Sequence, residues 1–176
     1  VEFNPKTERP IVAQIFGKNP KNFQIAAKFL EEELHVDAID INMGCPAKKV
    51  FSSDHGSAML KNPNLAAEIV QAIDEVTNLA VSVKTRVGVD KLDTDFMINF
   101  CQKIEKAGAR LITLHGRTAK QMYQGLADWN IMYEVKKNLK IPVIGNGDIR
   151  SKEDAIQKLG NLDGVMIGRG TMGNFW

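Results

Sequence analysis

Cysteine is scarce in this chain, with Cys45 and Cys101 the two thiols in 176 residues. They lie too far apart to form a metal-ligand spacing. With no secretory leader at the start, such sparse thiols suit a reducing compartment, and a cytoplasmic protein is expected. Charge of one sign is also lacking: 23 Lys and Arg against 21 Asp and Glu leave +2. That is too little to mark a nucleic-acid partner by itself, so any basic surface must be local. No apolar run approaches the roughly 20 residues of a membrane span, so no membrane partner is expected. No low-complexity tract or linker divides the sequence. Hydrophobic residues at 44% and charged residues at 25% are ordinary globular values. One domain covering residues 1–176 is expected.

What is present is a regular alternation. Residues 10–16 are short, apolar and rich in β-formers, which predicts a strand ended by Gly17. Asn19-Pro20 gives a cap and a first-turn proline, and Phe23, Ala27, Leu30 and Leu34 follow at helical spacing, so a helix is expected over 20–34. A strand at 36–42 and an irregular stretch at 43–61 come next. Asn62-Pro63 repeats the helix start, with Leu65, Ile69, Ile73 and Val76 as its stripe. Further strands are expected at 79–86, 110–115, 141–146 and 163–167. Between them the pattern places helices around Phe96 to Ala107, over 129–138 with Asp128 as cap, and from Ser151 to about Leu159. Cys101 lies beside an apolar stripe and reads as core. Alternating strands and helices with apolar strands mean a parallel sheet with right-handed crossovers. Six strands fall short of a (β/α)₈ TIM barrel, so the expected fold is a partial barrel lacking its first two βα units, with residues 1–9 a loop leading into it. An open doubly wound sheet is the structural alternative.

The chemistry is concentrated at the carboxyl ends of these strands. Gln14, Asn42 with Cys45, Lys84 with Arg86, His115 with Arg117, Asn146 with Asp148, and Gly168 with Arg169 all fall there. Each alone has an ordinary structural explanation. Together they point to one pocket, because the strand ends of a parallel barrel converge on one face. Cys45 sits between Gly44 and Pro46, on a sharp loop past a strand. The loops Gly145-Asn146-Gly147-Asp148 and Gly168-Arg169-Gly170 combine glycine backbone with an arginine, which suits a phosphate. Counted as following strands seven and eight, they occupy the usual phosphate position of this barrel. Lys84 has two open roles: a Schiff-base nucleophile, or a fixed charge beside an electron-rich ring.

These residues resemble the tRNA dihydrouridine synthases. The resemblance runs from about Gln14 to Trp176. It rests on Asn42-Met43-Gly44-Cys45-Pro46, Val83-Lys84-Thr85-Arg86, His115-Gly116-Arg117-Thr118, Tyr123-Gln124-Gly125 with Ala127-Asp128-Trp129, Gly145-Asn146-Gly147-Asp148-Ile149 and Ile167-Gly168-Arg169-Gly170. It implies an FMN enzyme re-reduced by NADPH, acting on tRNA. FMN would be held by Gln14, Lys84, His115, Asn146, Gly147, Asp148, Gly168 and Arg169. Flavin hydride would go to C6 of a uracil and Cys45 would protonate C5. Asn42 would hold the base, Arg117 would approach the base or the tRNA backbone, and Arg86 is a weaker candidate for the same task. Lys18, Lys48, Lys49, Lys120, Arg86 and Arg117 would form a local basic rim.

The sequence departs from the family where Ser53-Asp54-His55-Gly56 replaces a glycine-rich stretch after the cysteine loop. The family's first strand and its carboxyl-terminal helical tRNA-binding domain are not found in these residues, so the chain alone is expected to be inactive. Competing readings are another FMN barrel acting on a free pyrimidine, a Schiff-base aldolase using Lys84, and a non-catalytic RNA-binding module.

Overall fold

Polar residues placed just before apolar stripes start the helices. In the computed structural model, which describes residues 3–4 and 6–174, Asn19 Oδ1 accepts from Lys21 N at 3.0 Å and Asn62 Oδ1 from Leu65 N at 3.2 Å. They cap α1 (Pro20–Glu32) and α3 (Pro63–Asp74), each opened by its proline. Asp93 and Ser151 cap α4 (Thr94–Lys106) and α6 (Lys152–Leu159) in the same way. Trp129 occupies the cap position of α5 (Asn130–Lys137), but the capping oxygen comes from Asp128, which accepts from Ile131 N at 3.1 Å.

The strands are β1 (Val12–Ile15), β2 (Ala38–Met43), β3 (Ala80–Arg86), β4 (Leu111–His115), β5 (Val143–Asn146) and β6 (Gly164–Met166). All pair in parallel in the order β1-β2-β3-β4-β5-β6. Sequential parallel order with a helix in every crossover is the winding of a (β/α)₈ barrel, here an open arc of six strands. A doubly wound sheet would reverse strand order at a switch point, and this one does not. Residues 3–4 and 6–9 carry no helix or strand, as expected of a leading loop, while residues 1, 2, 5, 175 and 176 lie outside the described residues.

Alternation along each strand separates two environments. Ile39, Ile41, Met43, Val81, Val83, Ile112 and Leu114 face the helices and are fully buried against Phe23, Ala27, Ile69, Ile73, Phe100 and Ile104 in one core. Cys101 belongs to that core. Burial, with the charge of Glu105 adding to it, pushes its thiol well above the ordinary range. In α3 the buried stripe is Ala66, Ile69, Val70 and Ile73, while Leu65 is half-buried and Val76 lies beyond the helix.

The stretch 43–61 is more regular than its composition suggests. It holds α2 (Lys48–Phe51) and a 3₁₀ turn at Gly56–Lys61. Neither is long enough to show a period in the sequence, and the 3₁₀ turn is buried against the sheet. At the open edges of the arc, Val12, Phe16, Ile25 and Phe29 on one side and Ile156 and Met166 on the other are exposed.

Gly145 shows how closely α5 approaches the sheet. A Cβ there would run into the Trp129 ring and come within 2.6 Å of Leu162 Cδ1. Gly145→Ala should therefore destabilise the protein by about 1–3 kcal/mol, the usual cost of overpacking a core. Chemical denaturation would measure this; an unchanged midpoint would show that α5 yields freely.

Candidate active site

Strand polarity gathers the carboxyl-end residues around one cavity of about 820 Å³. Gln14, Asn42, Cys45, Lys84, His115, Asn146, Gly147, Asp148, Gly168, Arg169, Arg86 and Arg117 all line it, together with Tyr123. The expected site residues are thus brought together without exception.

Cys45 is held by its backbone on both sides. Asn42 Oδ1 accepts from Cys45 N at 3.0 Å and from Gly44 N at 3.1 Å. The Cys45 carbonyl accepts from Ser57 N and Ser57 Oγ, both at 3.0 Å. Gly56 permits that approach: its φ is +58°, and a Cβ would lie 2.6 Å from the Cys45 oxygen. The Asp54-His55 departure is absorbed beside this contact. Asp54 takes a left-handed φ of +62°, its carboxylate lies 3.5 Å from Lys18 Nζ, and His55 Nδ1 meets Ser53 Oγ at 2.8 Å. Cys45 is half-buried and lines the cavity.

Two arginines expected at a basic rim are instead buried, each only 3% exposed. Arg86 donates from Nε to Gly44 O at 3.0 Å and from Nη1 to Thr118 O and Met122 O at 2.9 Å. It ties the Cys45 loop to the loop after β4. Arg117 Nη2 donates to Asp148 Oδ1 at 2.6 Å and to Gly125 O at 2.7 Å, and its Nε to Gln124 O at 3.2 Å. A desolvated guanidinium is stable only when its donors are met, which is why these two left the surface. Lys18, Lys48, Lys49 and Lys120 do stand exposed, with Lys18 also within 3.5 Å of the Asp54 carboxylate.

The motifs of the sequence explain one another here. Gly116 O accepts from Asp128 N at 2.6 Å, and a Cβ on Gly116 would lie 2.7 Å from Asp128 O. Asp148, at φ +51°, accepts from Ala127 N through Oδ2 at 2.7 Å. So His-Gly-Arg-Thr, Ala-Asp-Trp and Gly-Asn-Gly-Asp meet at a single joint. Burial opposes the Asp148 charge, but the Ala127 N–H and the Arg117 guanidinium outweigh it and hold the carboxyl below its usual range.

Lys84 and His115 face the cavity among these cations. Burial first, then the Arg86 charge, lowers the Lys84 ammonium to about 8, with Asp40 opposing; its Nζ donates to Asn146 Oδ1 at 3.2 Å. Burial, then Arg86, Lys84 and Arg117, push the His115 imidazole down to about 3. Arg117 Nη1 lies 3.4 Å from His115 Nε2, so that nitrogen accepts and the ring is neutral with its proton on Nδ1. Arg169 lies over the Tyr123 ring at 4.5 Å, and Arg86 faces the same ring at 5.8 Å. A Cβ on Gly168 would meet nothing within 4 Å, which leaves backbone open for an anion to approach. Sequence reasoning gave no role to Tyr123, Ser57, Asp40 or Ser82. Tyr123 lies in a loop eight residues past β4, and nothing local signals that it folds over the mouth.

The comparisons with known proteins agree on one family. Residues 2–176 match the family described as dihydrouridine synthase (Dus). Among curated proteins, a probable tRNA-dihydrouridine synthase of Rickettsia conorii is 43% identical over 93% of this chain and 49% of its own length. The tRNA-dihydrouridine synthase B of Pasteurella multocida is 41% identical over 93% of this chain and 49% of its own. The chain thus spans about half the length of the curated relatives it matches. Among solved structures, a dihydrodipicolinate synthase of Agrobacterium tumefaciens superposes with a TM-score of 0.64 at 15% identity, over 89% of this chain and 53% of that one. That likeness concerns the barrel fold alone.

Two outcomes test this geometry. Arg86→Met leaves the carbonyls of Gly44, Thr118 and Met122 without their donor, and each buried orphan costs about 1–3 kcal/mol. Unfolding free energy should fall by at least about 2 kcal/mol in a denaturant titration; a loss under about 0.5 would mean the clamp is dispensable. Because His115 binds its proton more weakly folded than unfolded, it destabilises the native state progressively as pH falls from about 6.5 toward 3. Its ring proton shifts should stay flat from pH 8 to 5 in NMR, and a midpoint near 6.5 would contradict the burial argument.

Proposed function

Because this chain belongs to the dihydrouridine synthase family, we propose that the protein reduces uridine in tRNA to 5,6-dihydrouridine, with this chain forming the flavin and proton-donor site. The observation that carries the reading is the placement of Cys45 on a doubly pinned loop facing a cation-rich cavity, within a chain that matches the family over residues 2–176.

The donor set fits FMN. Lys84 and Arg169 bring positive charge, the open backbone at Gly168 leaves room for a phosphate, and Gln14, His115, Asn146, Gly147 and Asp148 border the same cavity. The Asp148 carboxylate is already committed to Arg117 and Ala127, so only its backbone is left to contribute. FMN held there, with NADPH to re-reduce it, would supply the hydride for C6 of the uracil.

The protein's own residues do the rest. Hydride addition at C6 leaves an electron pair at C5 conjugated with the O4 carbonyl. Cys45 Sγ–H gives its proton to C5, a C–H bond forms, and the thiolate recovers a proton from solvent. Asn42 holds the base through the amide N–H that its loop contacts leave free. Lys84, mostly protonated at pH 7, balances negative charge in the cavity. Neutral His115 presents a hydrogen-bonding ring without adding to the crowded positive charge. Arg117 acts by fixing Asp148 and the 124–125 backbone, a positioning task, while exposed Lys48, Lys49 and Lys120 lie where a tRNA backbone can meet them. A base reaching this depth must leave its stack. A tRNA substrate sets the proposed location in the cytoplasm. Among the described residues no helix is long and apolar enough to cross a membrane.

Family membership disfavours the Schiff-base reading of Lys84, and the free-pyrimidine reading with it. Cys45→Ala in the full-length protein should lower the rate of dihydrouridine formation by about 10²–10⁴-fold, the usual contribution of a general acid. tRNA affinity, measured by filter binding, should stay within twofold. Full turnover by the variant would remove Cys45 from the chemistry; tRNA binding that persists in both proteins with no dihydrouridine formed by either would favour a purely RNA-binding role.

A further inference from the structure

Below the cysteine loop lies a chain of polar contacts in which Asp40 and Ser82, which the proposed chemistry does not use, stand behind Gln14 and Asn42, which it does. Asp40, Ser82 and Gln14 are brought level by the strand register, Gln14 beside Asp40 and Asp40 beside Ser82. Asp40 Oδ1 accepts from Ser82 Oγ at 2.6 Å, and Asp40 Oδ2 accepts from Gln14 Nε2 at 2.7 Å. Gln14 Oε1 accepts from Asn42 Nδ2 at 3.0 Å. Asn42 Oδ1 in turn accepts from Gly44 N and Cys45 N.

We infer that Asp40 is a positioning residue that sets the direction of this relay and so fixes the Cys45 loop. The argument is one of donors and acceptors. An amide side chain can turn either end toward a neighbour, but a carboxylate only accepts. Asp40 therefore draws the NH₂ end of Gln14. The Gln14 oxygen is then left for Asn42, which must answer with its own NH₂. The Asn42 oxygen is consequently turned to the two loop N–H groups. Reversing any one amide would set oxygen against oxygen at Asp40, or leave the part-buried Gly44 and Cys45 N–H groups without an acceptor.

The relay also decides what the cavity offers. Asn42 Oδ1 already receives two N–H groups, so Asn42 has only an N–H to give. Gln14 Nε2 likewise keeps one N–H beyond its bond to Asp40. A ligand at this end of the cavity must therefore present acceptors, such as the carbonyl oxygens of a pyrimidine dione. The catalytic weight of the relay rests on the proposed reading of Cys45. Its existence does not, and can be read without flavin or tRNA.

Amide hydrogen exchange at Gly44 and Cys45 in the full-length protein is the test, with the Val83 amide in the sheet as internal reference. Asp40→Ala should speed exchange at both loop amides at least tenfold and leave Val83 unchanged. Asp40→Asn keeps a carbonyl for Gln14 and turns its NH₂ toward Ser82 Oγ, so it should restore protection to within threefold of the parent. Gln14→Met breaks the relay at its middle and should match Asp40→Ala, which keeps the test decisive if the alanine variant does not fold. In turnover assays Asp40→Ala should lower kcat at least tenfold while the KM for tRNA stays within twofold. Parent-like exchange in Asp40→Ala or Gln14→Met overturns the inference. So does Asp40→Asn exchanging as fast as Asp40→Ala, because that would make the charge of Asp40 its contribution. Altered exchange with parent-like kcat would retain the relay and count against Cys45 as proton donor.

Discussion

Two guanidinium groups cut off from water hold the mouth of this barrel arc together. A buried arginine is tolerable only when its N–H groups are met, and that demand brings distant loops to one place. Arg86, at the end of β3, reaches back to Gly44 and forward to Thr118 and Met122. Arg117, just past β4, reaches Asp148 and the 124–125 backbone. The loops after β2, β3, β4 and β5 are thereby joined, and Cys45 sits inside the first of them. Burial chiefly lowers the proton affinities of Lys84 and His115; Arg86 adds to this at both, and Arg117 at His115. The cavity is thus short of negative charge, a condition that an anionic cofactor relieves.

Much of this arrangement is legible in the sequence because it follows from periodicity and strand direction. Apolar runs separated by amphipathic stretches dictate parallel strands with helical crossovers. Parallel strands put Gln14, Asn42, Lys84, His115, Asn146 and Gly168 on one face whatever the details of packing. The glycines of His-Gly-Arg-Thr and Gly-Asn-Gly-Asp could be noticed but not explained, since what excludes a Cβ is Asp128 at the far end of the loop that begins at Gly116, and Ala127 from that same loop against Gly147.

What stayed hidden has a common cause. Arg86 and Arg117 look like surface cations in a loop, and only the folded chain supplies the carbonyls that draw them inward. Asp40 looks like an interruption in an apolar strand. Its importance depends on register, which sets it beside Gln14 and Ser82, residues 26 and 42 positions away. The short α2 and the 3₁₀ turn of Gly56–Lys61 have no periodic signature, yet they carry Ser57 to the Cys45 carbonyl. Asp54 and His55 depart from the family pattern without disturbing that contact, because Gly56 still supplies the left-handed turn beside it.

The central claim is that this cavity serves a flavin whose electrons reach a uracil opposite Cys45. The most direct test is the visible absorption spectrum of the purified full-length protein, before and after NADPH is added in the absence of air. The account predicts a flavin spectrum that bleaches with NADPH and recovers when tRNA containing uridine at the substrate position is supplied. A colourless protein that takes up no FMN on reconstitution would contradict it and return Lys84 to the status of an unexplained buried amine.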